Sequence, residues 1–145
     1  MKTGKLVIST VVVAVIMFVT DWLWYTQLMV NYFTPMPNAR PEHPDFMWLI
    51  LGVLIFSFAF VYIYSKGVGT GTPFGEGARY GFWVALLAWV SMGFAWYGLT
   101  STAPLTEYLV DMVYRLVQMV VMGVVAAYLT GMPANKGQSA TGSNN

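Results

Sequence analysis

Four runs of apolar residues, at about Leu6–Val30, Phe46–Tyr64, Tyr80–Thr100 and Leu105–Thr130, constrain this chain more than any other feature. A helix needs roughly 20 apolar residues to cross a hydrocarbon core about 30 Å thick. It also satisfies every backbone donor and acceptor internally, which a lipid-exposed loop cannot do. The expected fold is therefore all-α: an integral membrane four-helix transmembrane bundle of up-down topology over residues 1–131. The polar stretch at 132–145, MPANKGQSATGSNN, has no apolar pattern and reads as a flexible tail. Only 9% of the residues are charged, against about 25% in an ordinary soluble domain. A chain so poor in charge cannot cover a water-facing surface.

Lys2 and Lys5 before the first run suggest a secretory signal. A cleaved signal has a short apolar core followed by small residues. Here the run continues into Asp21, Trp22, Trp24 and Tyr25, so it reads as a retained helix. With four spans, Lys2, Lys5, Lys66, Arg79 and Lys136 share one side and Arg40 stands on the other. The positive-inside tendency then places both termini in the cytoplasm. Trp22, Trp24, Tyr25, Trp48, Trp96 and Tyr97 would form the outer aromatic belt, and Tyr62, Tyr64, Tyr80, Trp83 and Tyr128 the inner one.

The fourth run carries a polar stripe. Glu107, Asp111, Arg115 and Gln118 follow one another at steps of four, four and three residues, which keeps them on one helical face. An ionised residue near mid-bilayer costs roughly 2.5–3.5 kcal/mol on insertion scales. Asp111 and Arg115 are spaced for an intrahelical pair, and Asp21 of the first run falls at similar depth. Asp21, Asp111, Arg115 and Gln118 thus form the candidate intramembrane cluster. In this reading Asp111 is the partner of Arg115, and Asp21 is either neutral and hydrogen-bonded or a proton or cation site.

Small residues mark the packing faces. Gly77, Gly81, Ala85, Ala88 and Ala95 line the third helix, and Gly123, Ala127 and Gly131 recur every four residues in the fourth. Such spacing lets two backbones approach closely in lipid. Aligning Trp24-Tyr25 with Trp96-Tyr97 gives a faint repeat of the first hairpin in the second, although the composition of an outer aromatic belt alone also produces such Trp-Tyr pairs, and that is the stronger reading.

The connections say less. Pro35, Pro37, Pro41 and Pro44 make the outer loop stiff and extended. Its Glu42, His43 and Asp45 read as solvated surface, and no metal site is expected. The inner segment KGVGTGTPFGEGARYG is rich in glycine but lacks the Gly-Lys-Ser/Thr ending and the preceding strand of a phosphate-binding loop. It reads as a flexible turn.

Elimination narrows the chemistry. The chain has no cysteine and a single histidine in a loop, which removes thiol catalysis, thiolate metal clusters and bis-histidine haem within one subunit. No enzymatic activity, cofactor or nucleic-acid partner is expected.

The segment EGARYGFWVALL, the Trp-Tyr pair of the first helix and LVDMVYRLVQMVVMGVVAAYL in the fourth resemble a family of small bacterial four-helix membrane proteins known as a domain of unknown function. The resemblance would span roughly residues 6–130. It implies the fold and a place in the bacterial cytoplasmic membrane, and it brings no activity. Arg115 stands where that family more often has His, and the outer loop is richer in proline.

Two functional readings follow. One is an accessory or scaffold subunit that packs against a larger membrane protein or another copy of itself. The other is a small proton- or cation-coupled transporter with Asp21 as its intramembrane carboxylate.

Overall fold

The computed structural model describes residues 3–36, 45–67, 69, 71–100 and 102–131. Among these residues all regular structure is helical, and four helices are long and apolar enough to cross a membrane. They are α1 (Thr3–Leu28), α2 (Phe46–Lys66), α3 (Pro73–Leu99) and α4 (Leu105–Thr130). Glu42, His43 and the tail at 132–145 lie outside the described residues.

The helix boundaries follow capping chemistry. The Asp45 side chain accepts the Met47 N–H at 3.2 Å and opens α2, and the Gly67 N–H closes it on the carbonyls of Ile63 and Tyr64. Asp45 is thus a helix cap. The start of α3 corrects the sequence reading, which placed it at Tyr80. Thr72 accepts the Gly75 N–H at 3.2 Å, and Pro73 occupies the first helical position, where no N–H is needed. The glycines before it serve a neighbour: a Cβ on Gly69 or Gly71 would stand 2.8 or 2.7 Å from Oε1 of Glu76. Glu76 in turn holds Arg79 at 2.6 Å. At the end of α4, Gly131 adopts φ +72°, a conformation glycine takes without Cβ strain, and its N–H returns to the Ala127 carbonyl.

The helices pack antiparallel, α3 on α4 most closely. Gly77 meets Gly123 and Gly81 meets Met119, so numbers rise in α3 as they fall in α4. Between α1 and α4 the same relation joins Asp21 to Arg115 and Tyr25 to Asp111. Between α2 and α3 the rings of Phe60 and Tyr80 lie 4.7 Å apart, and those of Phe56 and Trp89 6.1 Å. The apolar core gathers toward the end of the bundle where α2 ends and α3 begins. There Val13 and Met17 of α1 meet Phe60, Val61 and Tyr64 of α2, Ala85 of α3, and Met119, Met122 and Ala126 of α4. In α4, Val113, Val117, Val121 and Tyr128 face outward, while Arg115, Gln118 and Met119 face the interior. This inside-out polarity suits a helix whose solvent is lipid.

Two five-residue π-helical turns interrupt the regular pattern: Trp24–Leu28 at the end of α1, and Leu86–Val90 within α3. The second ends the small-residue stripe. Gly77, Gly81 and Ala85 are buried, Ala88 inside the π-turn is half-buried, and Ala95 beyond it is exposed. A π-turn adds residues per turn and so rotates the helix face that follows it. The two π-turns do not share a position in the faint repeat, because the alignment that pairs Trp24 with Trp96 places Trp24–Leu28 on residues 96–100, not on Leu86–Val90.

Candidate functional site

Helices α1 and α4 are joined by a polar cluster that adjoins the apolar core, with Gln118 Nε2 3.5 Å from the carbonyl of the core residue Met17. Arg115 is 8% exposed, and its Nη1 donates to Oδ1 of Asp21 at 2.8 Å and to Oε1 of Gln118 at 2.9 Å. The same Asp21 oxygen accepts from the Tyr114 hydroxyl at 2.8 Å and from Gln118 Nε2 at 2.7 Å. Gln118 Nε2 also lies 2.8 Å from Oγ1 of Thr20 and 3.0 Å from the Tyr114 hydroxyl. Thr20 accepts there while its own hydroxyl donates back to the Ile16 carbonyl at 2.8 Å. Asp21, Gln118, Tyr114 and Thr20 thus each have a complementary neighbour, while the Arg115 Nε–H is buried with no acceptor among the described residues, so the network is satisfied at most but not all of its buried donors.

The pairing differs from the sequence expectation. Arg115 makes its ion pair with Asp21 across two helices, and the Tyr25 hydroxyl donates to Asp111. Arg115 Nη2 in turn donates to that hydroxyl at 3.1 Å. Tyr25 thus stands between the guanidinium and Asp111. It occupies this place because it lies four residues after Asp21, one turn on along the face that meets α4. Glu107, the fourth member of the stripe, lies in the first turn of α4, where the helix dipole favours an acid. It accepts the N–H and the hydroxyl of Thr34, both at 2.8 Å, and so fastens the segment after α1 to α4.

Aromatic rings enclose the cation. The guanidinium carbon lies 4.3 Å from the Trp89 ring centroid, 5.4 Å from that of Tyr114 and 5.5 Å from that of Tyr25. Trp24 stacks on the outer side of this arrangement, 4.3 Å from Tyr114 with the planes only 4° apart. Cation–π attraction reaches about 2 kcal/mol where the cation is desolvated. Tyr25 comes from the π-turn of α1 and Trp89 from the π-turn of α3. Each of the two π-turns thus holds a ring that lies against Arg115, and π-turns are frequent at functional sites.

The structure therefore brings Asp21, Asp111, Arg115 and Gln118 together, as the sequence implied, and adds Tyr25, Tyr114, Thr20 and Trp89. Of the packing residues, Gly81, Ala85, Gly123 and Ala127 are buried between helices, and Ala88 is half-buried. No group of three or more His, Cys, Asp or Glu residues suited to a metal occurs among the described residues. Fold and cluster together define a class: a bundle of four helices able to span a membrane, with α1 and α4 locked by a buried, ring-enclosed ion pair. Compared with known proteins, the chain matches no family model, no curated protein and no solved structure.

Proposed function

We propose that this chain is a small accessory or scaffold subunit of the bacterial cytoplasmic membrane, with both termini in the cytoplasm, packing against a larger membrane complex. One observation carries this reading. Asp21, the carboxylate a transporter would need free, is bound through one oxygen by Arg115, Gln118 and Tyr114 and fastens α1 to α4. The surface supports it. The first turns of α2, residues 46–52, and the last nine residues of α3, Ser91–Leu99, contain no buried residue and present Trp48, Phe94 and Trp96 outward. Lipid accepts such a surface too, so the test must find a specific partner. Tagged protein isolated in mild detergent is expected to bring one membrane protein in fixed stoichiometry. A Phe94→Ala, Trp96→Ala double variant is expected to lose that partner while keeping its own thermal stability. Recovery of the bare chain or a homodimer alone would overturn the subunit reading.

A second reading, a small proton- or cation-coupled transporter, has one observation in its favour. Two carboxylates, Asp21 and Asp111, surround a single guanidinium, and their hydrogen bonds engage one oxygen of each. Proteoliposomes that show proton-driven flux abolished by Asp21→Asn, the intramembrane carboxylate of this reading, in a variant that still folds would favour it.

A further inference from the structure

We draw no further inference here: the strongest candidate, the open pocket of about 720 Å³ lined by Thr34, Tyr97, Thr100 and Thr102 where α3 turns into α4, carries nothing, because its threonine hydroxyls already bond to Glu107, to the Trp96 carbonyl and to Tyr108 and nothing in the structure points to what would occupy it.

Discussion

Gly81 of α3 lies directly on the backbone of Met119 in α4: a Cβ built on it would stand 2.6 Å from the Met119 carbonyl carbon and 2.8 Å from the Cα of Val120. Gly77 makes the same approach to Gly123 and Val124 one turn away, with both contacts at 2.7 Å. Lipid offers no hydrophobic drive between helices, and close backbone packing supplies the attraction in its place. Because the facing atoms are main chain, no side chain can swing aside. Gly81→Ala is therefore expected to destabilise the bundle by at least about 1–3 kcal/mol, the range for overpacking. Gly98→Ala, with nothing within 4 Å of the new methyl, is expected to be neutral or slightly stabilising. Thermal unfolding of the two variants in the same detergent compares them directly.

The ion pair between α1 and α4 gives a graded series. Arg115→Ala strands Asp21 beside the buried donors that remain, and is expected to cost about 3–5 kcal/mol. Asp21→Asn leaves the guanidinium uncompensated at Nη1 and is expected to destabilise in the same direction. Asp111→Asn, whose carboxylate meets Arg115 only through Tyr25, is expected to cost less than either. If Asp21→Asn unfolds no more readily than wild type, the pair does not hold the helices together.

The number of helices, their approximate spans and the polar residues of α4 were legible because they rest on run length and on a spacing of three and four residues, both of which survive folding unchanged. The choice of partner for Arg115 was not. Asp111 at four residues' distance is the local solution, but the ring of Tyr25 reaches Asp111 from α1 and leaves the guanidinium to Asp21. A signal existed in the Asp21-to-Tyr25 spacing of one turn, which the reading of Tyr25 as a belt aromatic concealed. The early start of α3 was also readable, since Thr72-Pro73 is a cap followed by a first-turn proline. Trp89 was beyond reach. Its place depends on the π-turn at Leu86–Val90, whose added residue breaks the periodicity from which helical faces are inferred.

The orientation derives from basic residues alone and is open to a direct check. Reporter fusions after Lys66 and after Lys136 are expected to report the cytoplasm, and a fusion near Pro41 the outside. Moving charge should then move the protein: Lys2, Lys5 and Lys66 replaced by Gln, with two Lys added near Pro41, is expected to produce a mixed or inverted population. A C-terminal fusion that reports the outside in the wild-type chain would overturn the charge argument.

Tyr25 is the most specific of the groups around Arg115, because its hydroxyl accepts from Nη2 and donates to Asp111 while its ring lies 5.5 Å from the guanidinium carbon. Tyr25→Phe removes the hydroxyl and keeps the ring. It leaves Asp111 and Nη2 each short of one partner, so it is expected to destabilise by about 1–3 kcal/mol, the range for an unsatisfied buried group. The effect should depend on Asp111. In an Asp111→Ala background the hydroxyl has lost its acceptor, so Tyr25→Phe should cost less there than in the wild-type chain, with an interaction energy of about 0.5–3 kcal/mol. Tyr25→Phe with Asp21→Asn should couple too, since both act on the one guanidinium. Phe33 touches the Tyr25 ring at 5.7 Å but not the network, so Phe33→Leu serves as the control and is expected to couple with neither. Strictly additive costs for Tyr25→Phe and Asp111→Ala in detergent unfolding would show that the hydroxyl does not link the two helices through Arg115.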